Sequence, residues 1–300
     1  FWHLEYSGDW YSENKNLYYY EISNRIITRL DDKINLYEII KDESYCPKSF
    51  LEKDNFISND NNEVWFIKQR GAGGASLVIP TFFKDIKNKL QNVRKLDIGE
   101  VHKPAYREDS NYIIQKEIVP FLIDGKKNDL RIFYLVVFYD GILYFYLSKD
   151  AIVKISGEKY KKNCIDKSKQ ITNNITSGNY DSNKLLSDIK DYNICLSKLT
   201  HLFNKLSNRL VPLFKNFKSN KLEYQICGAD VIFDNLLNPY LLELNSGWPS
   251  YVNQNNTDNE KKFKINVMQD IARVTKGLLT KSKINLINLF ELKKFNVTNI

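Results

Sequence analysis

The strongest constraint on this chain lies in its last third, where two apolar segments, 228–233 and 240–245, carry acids that an apolar hairpin does not tolerate alone. Leu241, Leu242 and Leu244 mark the second segment as a strand, and the turn at 234–239 folds it back on the first. Side chains alternate along a strand, so Glu243 and Asn245 share a face. The hairpin brings Asp230 within reach of that pair. Two carboxylates and an amide oxygen in such a setting call for a cation. A small set of hard oxygen donors, with room left for phosphate oxygens, suits Mg²⁺ rather than zinc. The competing reading is a pair of structural acids, each answered by a lysine.

Two further segments carry charge where apolar runs begin or end. Val64-Trp65-Phe66-Ile67 reads as a strand and leads through Lys68 into a loop holding Gly71, Gly73 and Gly74, after which Leu77-Val78-Ile79 resumes apolar character. Strand, glycine loop, strand predicts a hairpin with a flexible lid. Backbone N–H groups of such a loop cradle phosphate oxygens, and Lys68 could reach the same phosphates as a point charge. No Gly-Lys-Ser/Thr follows and no βαβ unit surrounds the loop, so neither a Walker A nor a dinucleotide fingerprint is present. Taken alone, a glycine-rich tip is as well explained by a turn. Farther on, Lys127, Asp129 and Arg131 alternate at the head of a strand whose same face continues with Phe133, Leu135 and Val137. Three such charges are costly to bury unless paired or liganded, which favours a site over a solvated edge.

The remaining pattern predicts helices over 31–41, 82–98 and 260–279, and two helices within 183–217 ending near Pro212. Strands are expected at 112–118, and at 129–139 and 142–147 around the hairpin signal Asp140-Gly141. Strands and helices mix without regular βαβ alternation, so the expected class is α+β with antiparallel sheets. With 43% hydrophobic and 13% aromatic residues the chain can build real cores. Its formal charge of +8 favours acidic partners, yet the lysines are scattered, which points away from a dedicated nucleic-acid surface. The cysteines (Cys46, Cys164, Cys195, Cys227) form no close pair and the histidines (His3, His102, His201) are isolated, arguing for reduced thiols and against a zinc site. No apolar run reaches membrane-spanning length and no signal-peptide pattern is present, so a cytoplasmic monomer without membrane contact is expected.

The segments "VWFIKQRGAGGASLVI", "YIIQKEIVPFLIDGKKNDLRIFYLVV", "ITNN" and "GADVIFDNLLNPYLLELNSGWPS" together resemble the tubulin tyrosine ligase-like family of the ATP-grasp superfamily. The earlier "ITRLDDKINLYEII" and "CPKSF", and the later "NNTDNEKKFKINVMQDI", extend the resemblance over roughly residues 24 to 280. It implies an ATP-grasp fold in which two α+β lobes with antiparallel sheets clasp ATP. The corresponding division is an N-terminal segment 1–50, a central lobe 51–114 with the glycine loop, and a C-terminal lobe 115–300 with the metal site and closing helices. It also implies ATP and Mg²⁺, as two ions, and a ligase that joins a free amino acid (glutamate, glycine or tyrosine) to an acidic protein tail such as that of tubulin, through an acylphosphate. By the same resemblance Lys68, Gly71, Gly73, Gly74, Gln115, Lys116, Glu117, Ile118, Lys127, Asp129 and Thr172 would contact the nucleotide. Arg131, Lys154 and Asn173 would serve catalysis, and Asp230, Glu243 and Asn245 would hold metal. The sequence departs from the family pattern where Gln170 replaces a histidine, Lys154 an arginine and Asn128 a phenylalanine. Those departures leave open a non-tubulin acceptor, or a nucleotide-binding module without turnover.

Overall fold

The computed structural model describes residues 18–19, 28–55, 57–58, 60–70, 78–96, 111–172, 184–245 and 256–297. Gly71, Gly73, Gly74 and Asn173 lie outside the described residues. The strands are β1 (Tyr18–Tyr19), β2 (Ser49–Leu51), β3 (Val64–Gln69), β4 (Val78–Phe82), β5 (Tyr112–Lys116), β6 (Leu122–Ile123), β7 (Lys126–Tyr139), β8 (Ile142–Lys159), β9 (Lys184–Leu185), β10 (Leu222–Phe233), β11 (Pro239–Asn245) and β12 (Leu289–Asn296). The helices are α1 (Lys33–Ile40), α2 (Ile86–Leu96), α3 (Lys167–Gln170), α4 (Tyr192–Leu210) and α5 (Asp258–Thr280).

These strands form two sheets. The smaller has the order β2-β5-β3-β4 and is antiparallel throughout. The larger runs β1-β10-β7-β8-β12, with β11 on β10, β6 on β7 and β9 on β8; all its pairings are antiparallel except β1 with β10. The class is therefore mixed α and β with antiparallel sheets, as the sequence pattern requires.

Helices cover both faces of the larger sheet, and this explains why β7 is apolar almost without interruption. On one face Leu130, Ile132, Tyr134, Val136 and Phe138 pack with Leu199, Leu202, Phe203 and Leu206 of α4. On the other, Phe133, Leu135 and Val137 meet Phe263, Val267, Ile271 and Val274 of α5. A strand buried on both sides loses the alternation of a half-exposed one. The Asp140-Gly141 turn closes β7 onto β8 with φ of 52° and 73°, the left-handed pair a two-residue hairpin demands.

The smaller sheet shows the complementary arrangement. Trp65, Ile67, Tyr112 and Ile114 pack on Ile86, Leu90 and Val93 of α2, while Phe66, Lys68 and Gln115 alternate onto the opposite face. The strands of this sheet fall within residues 49–116.

Three local expectations are corrected. A single helix, α4, occupies the span where two were expected. The preceding Leu185 and Leu186 belong to β9 and a tight turn, closed where the Asp188 carboxylate accepts the Leu185 N–H at 3.0 Å. The strand expected at 142–147 continues to Lys159, past a bulge at which Ser148 Oγ accepts the Phe133 N–H at 3.1 Å. β12 was not foreseen, because Glu291, Lys293 and Lys294 interrupt its apolar pattern.

Asp270 of α5 anchors the start of β12. It is fully buried, and its Oδ2 accepts the N–H groups of Ile287, Asn288 and Leu289 at 2.9, 2.5 and 2.8 Å. Its Oδ1 pairs with Arg273 at 2.5 Å. Asp270→Ala strands those donors, and chemical denaturation should show a loss of about 3 kcal/mol.

Candidate active site

The site is built where β7, β8, β10 and β11 run side by side. Register sets Asp230 of β10 opposite Arg131 of β7 on one side and Glu243 of β11 on the other. It also sets Gly228 opposite Asn245, and Asp129 of β7 opposite Lys154 of β8. A bulge follows Asp230, a device that re-aims a side chain beside a site.

Arg131 grips Asp230 with both arms, Nε to Oδ1 at 2.6 Å and Nη2 to Oδ2 at 3.0 Å. Lys154 bridges two acids, 3.1 Å from Asp230 Oδ1 and 2.8 Å from Asp129 Oδ1. The Thr172 hydroxyl donates to Asp129 Oδ2. Burial alone would raise the Asp230 carboxyl, but Arg131 and Lys154 outweigh it and hold the group well below the usual carboxylate range. Burial likewise opposes the charge on Lys154, yet Asp129 and Asp230 keep its ammonium above the usual lysine value.

Two other lysines are held the opposite way. Lys68 is buried, its Nζ donating to Gln115 Oε1 at 2.5 Å, and Gln115 in turn contacts Ser49 Oγ at 3.5 Å. Burial pushes the Lys68 ammonium down to about 8, with Glu243 resisting and the neighbouring charges of Lys33 and Lys127 adding to the effect. Lys127 donates to Gln170 Oε1 at 2.9 Å and lies 4.7 Å from the centre of the Phe66 ring. Burial pushes it to about 8 as well, against the support of Glu117 and Asp129. Both are ammonium groups short of countercharge, the condition under which an anionic ligand binds best.

The sequence-predicted residues fall into place unevenly. Lys127, Asp129, Arg131, Lys154, Asp230, Glu243 and Asn245 of the larger sheet, Lys68 and Gln115 of the smaller one and Thr172 after α3 gather in one polar cluster. Lys116 does not join them: its side chain alternates to the other face and pairs with Glu63 at 2.5 Å. The hinge amides of Lys116 and Glu117 donate to Lys48 O and Val64 O, at 2.8 and 2.9 Å. Glu117 places its carboxylate in the cluster, where Tyr160 donates to it at 3.2 Å, and burial raises its carboxyl against the pull of Lys127. Ile118 is half-buried beside it. Gln170 donates to Cys164 O at 2.8 Å, which fixes its oxygen on Lys127. Asn128 ties β7 to Phe121 O at 2.9 Å.

One charged neighbour was missed. Lys33, near the start of α1, is buried and pairs with Glu243 at 3.0 Å. The predicted helix 31–41 contained it, but no local pattern connects it to an acid so far along the chain.

The donor set fits a divalent metal. Among the described residues no three His, Cys, Asp or Glu side chains gather on their own, so a metal here needs oxygen from elsewhere. Asp230 and Glu243 face each other across the hairpin. Asn245 donates its Nδ2 to Gly228 O at 3.2 Å, which leaves Oδ1 as the atom it offers. Two carboxylates, an amide oxygen and phosphate oxygens make a hard, oxygen-only shell. Without metal, both acids are balanced by protein cations, as the competing reading of paired structural acids describes.

The model of the tubulin-tyrosine ligase family matches residues 3–284. The chain belongs to that family. It is 25% identical over 268 residues to probable tubulin polyglutamylase ttll-9 of Caenorhabditis elegans, a span covering 81% of this chain and 61% of that protein. It is 25% identical over 253 residues to tubulin glycylase 3D of Tetrahymena thermophila, covering 77% and 22%. With probable tubulin polyglutamylase TTLL9 of Bos taurus it shares 29% over 170 residues, covering 51% and 36%. The chain thus spans less than two thirds of the length of each. As a member of the tubulin-tyrosine ligase family it keeps every cluster residue within the matched stretch, while β12 lies beyond it.

Lys68→Met removes a cation whose burial outweighs the support of Glu243 in the ligand-free protein. At pH 7 the ligand-free protein should gain about 1–3 kcal/mol in urea unfolding. The gain should shrink as pH rises from 8 towards 10.5, because the wild-type lysine deprotonates in the folded state first and its burial then costs nothing further.

Proposed function

We propose that the chain is an ATP-dependent ligase that joins a free amino acid, glutamate or glycine, to a carboxylate of an acidic protein tail such as that of tubulin. The observation that carries this is the Asp230–Glu243 pair, set across a hairpin from each other, in a cluster where Lys68 and Lys127 are cations short of countercharge. The named activities of the polyglutamylase and glycylase relatives support the substrate class, and the family supports ATP with Mg²⁺. The chain's positive charge suits an acidic partner.

The chemistry asks for charge neutralisation rather than a protein nucleophile. An acceptor carboxylate oxygen attacks the γ-phosphorus of ATP, the bond to the β,γ-bridging oxygen breaks, and ADP leaves with that electron pair. The amine of the incoming amino acid then attacks the acylphosphate carbonyl, phosphate departs, and the amine sheds its proton as the amide forms. Both steps bring anions together, so positioned cations supply most of the catalysis. Lys68 and Lys127 meet the phosphates of the nucleotide. Arg131 and Lys154, fixed by Asp230 and Asp129, present rigid positive charge to the phosphoryl group in transfer. Asp230, Glu243 and Asn245 would hold Mg²⁺, which when bound neutralises phosphate charge. Gln170 positions Lys127 without titrating near neutral pH, unlike the histidine of the family pattern.

The test is release of ADP and phosphate with Mg-ATP, each amino acid and a panel of acidic tail peptides, with the modified peptide read by mass spectrometry. Turnover should require both the acceptor and an amino acid, and Glu243→Gln should lower it by about 10²-fold or more. Undiminished turnover in that variant would remove the metal assignment. Nucleotide affinity should also fall as pH rises through 8 to 9, since Lys68 and Lys127 lose their protons there and the bound phosphates favour the protonated forms. Titration calorimetry across pH 6.5–9.5 would read that fall together with proton uptake on binding.

A further inference from the structure

We infer that Lys33 is a stand-in for the metal, its ammonium holding Glu243 until a divalent cation claims the carboxylate. This rests on the metal reading of Glu243. A metal site must also survive without its metal, and here that problem is acute, because Glu243 lies directly across the hairpin from a second acid. Arg131 and Lys154 serve Asp230 from within the sheet. Glu243 is served instead from outside it, by Lys33 on α1 at 3.0 Å, with the lysine 7% exposed.

The lysine is held in place by design of the helix start. Asp32 caps α1, its Oδ1 accepting the N–H groups of Ile34 and Asn35 at 2.9 and 3.2 Å, and its Oδ2 pairs with Arg70. Arg70 follows β3 directly and reaches on to Asn35 Oδ1 at 3.3 Å. The cap of α1 is thus tied to the end of β3 and the first residue of α1 to Glu243. Lys33 also has somewhere to go. It lines a mainly apolar cavity whose polar members include Ser49, Lys68 and Gln115, and Ser49 and Gln115 offer a displaced ammonium oxygen acceptors there. The stand-in keeps Glu243 aimed, and its release adds a positive charge beside Lys68 when the nucleotide is bound.

The decisive measurement is Mn²⁺ binding to the nucleotide-free protein, by calorimetry or electron paramagnetic resonance. Lys33→Met removes the competitor, and Mn²⁺ should bind about tenfold tighter than to wild type. Lys33→Gln keeps a donor to Glu243 without the charge and should give a gain in the same direction, covering the case in which the methionine variant does not fold. Lys33→Arg keeps the pair and should not gain. The gain should vanish in the Lys33→Met, Glu243→Gln double variant. Unchanged or weaker Mn²⁺ binding in both neutral variants, with binding still lost in Glu243→Gln, overturns this inference alone. Wild-type Mn²⁺ affinity in Glu243→Gln overturns the metal reading beneath it.

Discussion

The carboxylate of Asp230 is the interaction on which the rest of the site depends. It is buried at the junction of β7, β10 and β11, and a buried ion survives only with partners in good geometry. Arg131 gives two aligned bonds and Lys154 a third contact, which extends to Asp129 and from there to the Thr172 hydroxyl. One acid therefore fixes the direction of an arginine and a second acid on β7 and of a lysine on β8. Take that acid away and two cations remain facing each other in a place with little water.

The fold supplies the rigidity this arrangement needs. β7 is the common element: its apolar length is clamped between α4 and α5, and its polar head carries Lys127, Asp129 and Arg131 into the cluster. The smaller sheet brings Lys68 and Gln115 from the other side on the face that α2 leaves uncovered. The contrast between lysines is instructive. Lys154 is stabilised as a cation by two acids, whereas Lys68 and Lys127 are held as cations at the limit of what burial permits. The first is charge answered within the protein; the other two carry charge that burial opposes, as the proposed binding of phosphate requires.

Much of this was readable in the sequence because it obeys short-range rules. Alternation placed Lys127, Asp129 and Arg131 on one face, and a short turn made Asp230 and Glu243 neighbours; the observed register joins them directly. The Asp140-Gly141 hairpin followed from the same kind of rule. What stayed hidden was long-range or face-dependent. Lys33 meets Glu243 across 210 positions, and no period connects them. Lys116 follows Gln115 in the chain, so the alternation that aims one inward necessarily turns the other out to Glu63. The single helix α4 was read as two because Leu185 and Leu186 happened to extend its apolar spacing backwards, although Asp188 closes a turn there.

The cradle of three N–H groups around Asp270 has a consequence for how this chain can be trimmed. It fastens β12, which lies past the last residue the family shares, against the outer rim of β8 from Ile142 to Ser148. A shortened version cut at the family boundary would keep every residue of the polar cluster and lose that cover. The bared rim of β8 would then present open backbone donors and acceptors to any passing strand, and self-association would replace what β12 now does within one molecule.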